Sequence, residues 1–337
     1  MIVTVPHALA RARAMLVPEL ERGLARLSPP VRLVAAYHLG FADPEGRPAN
    51  GDGGKAVRPA LALLSAEAAG SSAETALPGA LAVELVHNFS LLHDDVMDRD
   101  RERRHRPTAW ALFGEPAAIL AGDALLVMAQ RSLLERPSRA HVAAAEALFD
   151  ATARMIAGQA DDVTVQANDS VTLERTLGMM ADKTGALLSC AASIGAILAG
   201  APQSDVEALA AFGLHLGMAF QAVDDLLGIW GDPSITGKPA ANDIRERKKS
   251  LPVAAAVGSG GPGARKLRML LAAEGLDEAG VAEAARLVEH LGGRDRARRI
   301  AHRELAVCLE ALSAADLAEP ARSELEDVAR FVAEREF

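Results

Sequence analysis

Two short runs of aspartates are the most chemically distinctive residues of this sequence. The first is His93-Asp94-Asp95-Val96-Met97-Asp98. If this run is helical, Asp94 and Asp98 lie one turn apart on one face, with Cβ atoms roughly 5–6 Å apart. Carboxylates that close repel each other unless a cation lies between them. Oxygen ligands favour a hard cation such as Mg²⁺, so the run predicts a metal site; the alternative is a solvated acidic helix end.

The second run, Asp224-Asp225, also closes an apolar segment. We therefore expect two facing helices whose carboxylates oppose each other across a cleft. Basic residues accompany both runs: Arg103-Arg104 follow the first, and residues 238–249 follow the second with five Lys/Arg against two acidic residues, a net +3 in a chain of net charge −9. Carboxylates, Mg²⁺ and guanidinium groups together are typical of a site that binds diphosphates.

A different metal pattern is also present. Glu84 and His87 have the Glu-x-x-His spacing of di-iron bundles, which need that motif on two separate helices. The other copy, Glu102 with His105, lies in an arginine-rich stretch, where crowded cations oppose a metal ion. The di-iron alternative is therefore disfavoured.

Helices must position these residues, because apolar residues make up 50% of the chain and aromatic residues only 3%, with Ala and Leu dominant. Alternation with a period of two is almost absent. We predict an all-α single domain over residues 1–337 with roughly ten or more helices. The predicted helices lie at 8–27, after Pro59, and at 78–101, 116–134, 138–168, 170–199 (one or two), 205–230, 251–257, 263–273, 278–291, 294–314 and 319–335. The predicted loops lie at 40–54 and 232–249.

Composition also excludes several classes of function. The acidic balance argues against duplex nucleic acid as a partner, and the few aromatic residues argue against a single-strand binder. Only two cysteines, Cys190 and Cys308, are present, which favours a reducing, cytoplasmic location. No long apolar run precedes the first arginines, so we expect no signal peptide. The uncharged run from Thr184 to Ser204 is interpreted as a buried helix, so we expect no transmembrane segment.

Six ordered motifs together resemble those of the trans-isoprenyl diphosphate synthase (polyprenyl synthetase) family. The resemblance extends from about Gly53 to Pro252 and, more weakly, to both ends. The motifs are Gly53-Gly54-Lys55-Ala56-Val57-Arg58-Pro59; Glu84 to Asp98 with Arg103-Arg104 and Pro107-Thr108; Gly158-Gln159 with Asp162; Lys183-Thr184; Phe220-Gln221 with Asp224-Asp225; and Lys238 with Asp243 to Pro252.

The resemblance implies an isoprenoid synthase fold, an all-α bundle around a deep central cavity, and a homodimer. It also implies that isopentenyl diphosphate condenses with an allylic diphosphate, with three Mg²⁺ ions as cofactors. The implied metal ligands are Asp94, Asp98 and Asp224. The residues implied to hold the allylic diphosphate are Arg103, Lys183, Thr184, Gln221, Lys238 and Lys248. Those implied to hold isopentenyl diphosphate are Lys55, Arg58, His87 and Arg104.

The product length is implied by Phe89 and Ser90, which precede Asp94 by five and four residues. A ring followed by a small residue there resembles the synthases that stop at twenty carbons, so we expect geranylgeranyl diphosphate. The alternatives are a farnesyl or longer-chain diphosphate synthase, a class I terpene cyclase, and a non-catalytic subunit of a heteromeric synthase. The few aromatic residues disfavour a cyclase, and the retained Arg103 and Arg104 disfavour a non-catalytic subunit.

Three residues depart from the family pattern: Ala56 stands where Arg is frequent, Gly228 replaces the last aspartate of the second run, and Arg247 replaces a common glycine. Because the implied metal ligand is Asp224, we expect Gly228→Asp to be tolerated or mildly activating.

Overall fold

The structure is a computed structural model, and it describes residues 6–49, 54–167, 172–232, 240–273 and 275–333. Contacts divide the chain into two compact units. The first unit comprises Met1–Asp150, Cys190–Ala210 and Ala315–Val328, and the second comprises Ala151–Ser189, Ala211–Ala314 and Ala329–Phe337. The single domain predicted over 1–337 stays a prediction.

Helices dominate the described residues. In the N-terminal segment of the first unit they are α1 (His7–Leu24), α2 (Pro29–His38), α3 (Val57–Ala68), α4 (Ala73–Met97), α5 (Ala109–Phe113) and α6 (Glu115–Leu134). Two short strands, β1 (Glu102–Arg103) and β2 (Arg106–Pro107), form an antiparallel hairpin between α4 and α5.

The remaining helices continue the chain through both units. They are α7 (Arg139–Ala167), α8 (Leu173–Met180), a π-helical turn (Ala181–Gly185), α9 (Ala186–Ala199), α10 (Gln203–Trp230), α11 (Asn242–Arg245), α12 (Leu251–Val257), α13 (Gly261–Ala272), α14 (Glu278–His290), α15 (Gly293–Ser313) and α16 (Ala321–Ala333). The all-α fold class is confirmed.

Most predicted helices are confirmed to within a few residues. Five of these elements were not predicted from the sequence: α2, the β1–β2 hairpin, α5, the π-helical turn and α11, which lies within the predicted loop 232–249. Two predicted bounds were also wrong, since α4 begins at Ala73 and ends at Met97, and α3 begins at Val57, before Pro59. Pro59 lies at the third position of α3, where a missing N–H costs nothing because the first four N–H groups have no partner within the helix.

Each unit has a core of small and branched apolar residues. In the first unit α4 packs against α3 and α6, and glycines allow close helix contacts. A Cβ on Gly195 of α9 would lie 2.0 Å from the carbonyl oxygen of Ala62 in α3. In the second unit the end of α10 packs on α12 and α15 through Leu226, Leu251 and Ile300. These contacts fix the helix ends that carry the two aspartate runs.

By length and composition alone, α4, α6 and α10 could each cross a membrane. In the most apolar 18-residue stretch of each of these helices, the protein itself buries 61%, 33% and 50%, respectively. The expected absence of a transmembrane segment therefore stays a prediction. The low value for α6 reflects apolar side chains that face outward, and these are considered below.

Candidate active site

The first aspartate run forms the last turn of α4, in the first unit. Asp94 is half-buried and Asp98 is exposed, while Asp95 between them is 1% exposed. Successive residues of a helix point 100° apart, so neighbouring aspartates have different surroundings. Asp95 accepts hydrogen bonds from Arg103, 2.8 Å from Nε and 2.7 Å from Nη2. Burial raises the pKa of Asp95, and the Arg103 charge opposes that rise.

The geometry of Asp94 and Asp98 fits a magnesium ion that a substrate helps to hold. Within the described part of the chain, no group of three or more His, Cys, Asp or Glu side chains is arranged to hold a metal ion by itself. Mg²⁺ commonly takes one or two carboxylates and completes its shell with water and substrate phosphate oxygens. The two side chains, one helical turn apart, match that donor set.

Arg103 and Arg104 are presented by the β1–β2 hairpin. The two turn residues, Arg104 and His105, have left-handed backbones, with φ of 53° and 59°, as a tight two-residue hairpin requires. The guanidinium of Arg104 lies directly against Gly54. A Cβ added to Gly54 would be 2.7 Å from Arg104 Nη2, which is too close for a side chain. The absence of a side chain at Gly54 thus lets Arg104 approach the segment that carries Lys55.

Arg58, Arg103 and Arg104 lie near enough to His87 to influence its charge. Burial lowers the pKa of Arg58, and burial raises that of Glu84, although each stabilises the other's charge. Asn88 Nδ2 donates to Glu84 Oε1 at 3.1 Å. Burial together with Arg58 and Arg104 holds the pKa of His87 well below its usual value. A neutral ring beside guanidinium groups can donate a hydrogen bond to an anion.

The placement of the two Glu-x-x-His motifs argues against the di-iron alternative. Glu84 is held by Asn88, Glu102 lies in β1, and His105 lies in the hairpin turn. The two Glu-x-x-His copies are therefore not on two helices.

The second aspartate run ends α10, in the second unit, and again the two neighbours differ. Asp224 is exposed, whereas Asp225 is 3% exposed. Asp225 accepts hydrogen bonds from Gln221 Nε2 at 2.9 Å and from the Leu251 backbone at 2.8 Å. Thr184 Oγ1 donates to Gln221 Oε1 at 2.8 Å. The structure thus brings Thr184, Gln221 and the second run together.

Lys183 and Thr184 lie in the π-helical turn Ala181–Gly185. Such turns are rare and often lie at functional sites. Lys183 Nζ lies 2.5 Å from Asp162 Oδ2 on α7. Gly158 makes this approach possible, since a Cβ there would lie 2.4 Å from the backbone nitrogen of Lys183. The Gly158–Asp162 motif is therefore the surface on which the π-helical turn rests.

Lys248 completes the charge set of the second unit. Its Nζ lies 3.7 Å from Asp225 and 3.8 Å from Asp243. Burial alone would lower the pKa of Lys248, but these carboxylates raise it above its usual value. Burial raises the pKa of Asp243 to about 6 despite Lys248. Lys238, the other predicted cation of this segment, lies outside the described residues.

The three departures from the family pattern have structural counterparts. Ala56 and Arg247 have left-handed backbones, with φ of 53° and 57°. A glycine would be unstrained at such positions. Gly228 faces Asp243, and a Cβ there would lie 2.4 Å from the Asp243 carboxyl carbon. A side chain at 228 would require Asp243 to shift and would place a second carboxylate beside it. This geometry argues against the expected tolerance of Gly228→Asp, and the effect of that substitution stays a prediction.

The two residues predicted to set product length lie on α4 below Asp94. Phe89 is 7% exposed and packs edge-to-face on His93, with ring centroids 4.8 Å apart. Ser90 Oγ donates to the backbone carbonyl of His87 at 2.9 Å. The predicted tunnel floor stays a prediction, as does the predicted facing of the two aspartate runs.

Several charged residues of this site were not singled out from sequence. Asp95, Asp225 and Asp243 are buried partners of cations rather than exposed ligands, and Glu84 balances Arg58. The burial of Asp95 and Asp225 could have been predicted from the sequence. Successive residues of a helix point 100° apart, so the neighbour of an exposed aspartate at a helix end can face the interior. No pattern in sequence distinguishes Asp243 from a solvated loop residue.

Comparisons with known proteins agree with this geometry. The polyprenyl synthetase family model matches residues 49–288. The chain is 46% identical over 336 residues to the (2E,6E)-farnesyl diphosphate synthase of Mycobacterium tuberculosis, covering 97% of this chain and 92% of that protein. It is 42% identical over 306 residues to a geranylgeranyl diphosphate synthase of the same organism, covering 90% and 87%.

A solved structure is similar along almost the whole chain. The crystal structure of a polyprenyl synthetase from Streptomyces coelicolor A3(2) is 48% identical, with a TM-score of 0.93, and covers 98% of this chain and 99% of that chain. Fold, motifs and relatives therefore agree, and the chain belongs to the polyprenyl synthetase family of prenyltransferases, with the all-α isoprenoid synthase fold.

Proposed function

We propose that this protein condenses isopentenyl diphosphate with an allylic diphosphate. The observation that carries the proposal is that each unit contains its own set of residues suited to a diphosphate: Lys55, Arg58 and Arg104 with the neutral His87 in the first unit, and Lys183, Thr184 and Gln221 in the second. Two sets of diphosphate-binding residues fit an enzyme that holds two diphosphate substrates. The names of the relatives support the same reaction.

Magnesium is part of the proposal, with Asp94, Asp98 and Asp224 as the residues that would hold it, and three ions as the number. When bound, Mg²⁺ would neutralise negative charge on the leaving diphosphate. The carboxylates of these three residues are exposed or half-buried, where a substrate-bound ion can reach them, whereas Asp95 and Asp225 are buried.

The chain's own cations would act on the leaving group. Arg103, Lys183, Lys248 and Lys238 would stabilise the diphosphate as the allylic C–O bond breaks. The double bond of isopentenyl diphosphate then attacks the allylic carbon, a C–C bond forms, and a proton leaves to the released diphosphate. Arg58, Arg104 and His87 would orient isopentenyl diphosphate so that its double bond lies at contact distance.

We propose geranylgeranyl diphosphate as the product, on the basis of Phe89 and Ser90. The farnesyl diphosphate synthase relative favours a fifteen-carbon product instead. The test incubates the purified protein with isopentenyl diphosphate and dimethylallyl, geranyl or farnesyl diphosphate in turn, with Mg²⁺ or with a chelator, and analyses the dephosphorylated products by chromatography. We expect Mg²⁺-dependent chain extension that stops at twenty carbons. Cyclic hydrocarbons, or no extension with any primer, would refute the proposed reaction.

We also propose that the protein is a homodimer, because two helices present rows of exposed apolar side chains. On α6, Leu120, Val127 and Leu134 are 58%, 62% and 43% exposed; on α7, the row is Val142, Phe149, Ile156 and Val163, at 40–50% exposed. Residues seven apart lie on one face of a helix, and a second copy of the chain is a partner with matching rows.

The oligomeric state tests this directly. Light scattering after size-exclusion chromatography should give a dimer for the wild type and a monomer for the double variant Leu120→Lys/Val127→Lys. Met269→Lys is the control, because Met269 is 74% exposed and lies on α13, outside both rows. A monomeric wild type would refute the dimer. The cytoplasmic location stays a prediction.

A further inference from the structure

The chain contains one tyrosine, Tyr37, and it lies outside every motif that carries the family resemblance. It is at the end of α2 and 4% exposed. A buried phenol normally needs a hydrogen-bond partner. Its hydroxyl donates to the carbonyl oxygen of Pro107 in β2 at 2.7 Å. A residue far from the motifs in sequence therefore contacts the hairpin that presents Arg103 and Arg104.

A second contact ties the same strand to the same ring. The guanidinium carbon of Arg106 lies 4.4 Å from the centre of the Tyr37 ring, which is the geometry of a cation–π interaction. Arg106 Nη2 also lies 3.4 Å from the carbonyl oxygen of Tyr37. Phe113 supports the ring edge-to-face, at 5.4 Å between centroids. Both residues of β2 are thus held by Tyr37.

The hairpin needs such support. Each strand has two residues, and a lone hairpin is at best marginally stable in water. Its turn places Arg104 and His105 in the left-handed region, which is unfavourable for residues with a Cβ. Arg103 pairs directly with Arg106 across the hairpin. Support of β2 therefore acts together with the bonds from Arg103 to Asp95 in placing the two arginines.

We propose that Tyr37 is a positioning residue for diphosphate binding, acting through Pro107 and Arg106 to hold Arg103 and Arg104 in place. This proposal rests on the proposed function, in which both arginines bind diphosphates. The hydrogen bonds and ring contacts of Tyr37 described above join it to Pro107, Arg106 and Phe113, so its effect is on the preorganisation of the arginines.

The test compares Tyr37→Phe and Tyr37→Leu with wild type by calorimetric titration of two probes, isopentenyl diphosphate and inorganic pyrophosphate. Tyr37→Phe keeps the ring under Arg106 and removes the bond to Pro107, so both Kd values should rise about fivefold, as for one lost hydrogen bond. Tyr37→Leu also removes the cation–π contact, and its Kd values should rise roughly tenfold or more.

Ser132→Ala is the matched control. Ser132 Oγ on α6 lies 3.2 Å from the carbonyl oxygen of Pro78 in α4 and 2.7 Å from that of Ala129 in its own helix. The variant therefore loses a long-range bond from a side-chain hydroxyl to a backbone carbonyl, as Tyr37→Phe does, but at neither end of the hairpin. We expect it to lower the melting temperature as Tyr37→Phe does and to leave both Kd values unchanged. A purely structural role for Tyr37 would make the two variants behave alike.

A double-mutant cycle identifies the route. Tyr37→Leu and Arg106→Gln should have less than additive effects on Kd, because they break the same contact. Wild-type Kd values in a folded Tyr37→Phe variant would overturn the proposal, even if Tyr37→Leu failed to fold. If wild type bound pyrophosphate but not isopentenyl diphosphate, the proposed function would fail, while the pyrophosphate titrations would still decide the role of Tyr37.

Discussion

The carboxylate of Asp243 occupies the space that a side chain on Gly228 would need. A Cβ on Gly228 would lie 2.4 Å from the carboxyl carbon and 2.4 and 2.6 Å from the two oxygens. Asp243 is 7% exposed, and Lys248 lies 3.8 Å from it. The glycine therefore permits a carboxylate from α11 to reach the charged end of α10.

Gly228→Ala should consequently displace Asp243 and lower both the melting temperature and turnover. We expect turnover to fall at least tenfold, equivalent to about 1.4 kcal/mol of transition-state stabilisation. Gly228→Asp should lower both quantities further, since it also places a second negative charge beside the Asp243 carboxylate. Gly178→Ala in α8 is the control, because a Cβ there would meet no atom of the described residues within 4 Å, and it should be neutral or slightly stabilising. Wild-type turnover in Gly228→Ala would contradict the steric argument.

Asp94→Asn and Asp98→Asn should each lower turnover by roughly two or more orders of magnitude, because each removes a carboxylate that would hold Mg²⁺. The measurement is the initial rate as a function of Mg²⁺ concentration, and the variants should need more Mg²⁺ for half-maximal rate. Asp327→Asn changes an exposed carboxylate on α16 and should match wild type. Unchanged Mg²⁺ dependence in both variants would disprove the metal assignment.

Lys55→Ala and Arg58→Ala should raise KM for isopentenyl diphosphate about tenfold or more and change KM for the allylic substrate much less. Lys55 is exposed, so its loss should lower the melting temperature less than the loss of Arg58 does. Arg58→Ala leaves Glu84 without a cation that stabilises its charge, so we also expect a lower melting temperature. Steady-state kinetics with each substrate varied in turn makes the comparison; equal effects on both KM values would contradict two separate sites.

Phe89→Ala should lengthen the product, and Ser90→Phe should shorten it toward fifteen carbons. Positions four and five residues before Asp94 lie about 6–7.5 Å along the helix axis, so a ring there can stop a growing chain. Chromatography of the dephosphorylated products gives the chain length. Leu92→Met is a control, since Leu92 is fully buried on the same helix and the swap conserves volume. If all variants gave the wild-type length, these residues would not set it.

Lowering the pH should destabilise the fold through His38. Burial, together with Arg103 and Arg104, lowers its pKa to about 3, although a hydrogen bond with Asn88 opposes the change. Its Nε2 is buried and has no hydrogen-bond partner in the part of the chain that the structure describes. The unfolded chain takes up a proton below the ordinary pKa of 6.5 and the folded chain only below about 3. The free energy of unfolding should therefore fall by about 1.4 kcal/mol per pH unit within that window.

Chemical denaturation at pH 7.5 and pH 5 measures this dependence. The loss of stability should be about 2 kcal/mol smaller in His38→Gln than in wild type. His290→Gln, at the exposed end of α14, should keep the wild-type dependence. An identical pH dependence in His38→Gln and wild type would rule out this role for His38.

The sequence predicted the helical class and the positions of both aspartate runs, because long apolar helices and one-turn spacing are local properties. It did not predict α2, which begins at Pro29-Pro30, or the role of Tyr37, because its contacts with β2 join residues about 70 positions apart. The same holds for Asp243, whose burial depends on the missing side chain at Gly228. Long-range packing, rather than local propensity, decides these positions.

The π-helical turn at Ala181–Gly185 can form only if this stretch of the chain keeps its exact number of residues. A π turn holds one residue more than an α turn, so loss of one residue there would return the segment to α-helix and change the directions in which the side chains of the turn point. Lys183 and Thr184 could then no longer reach Asp162 and Gln221 together. Functional homologues can therefore vary this stretch by substitution, but an insertion or deletion within it should be lost from any lineage that keeps the activity.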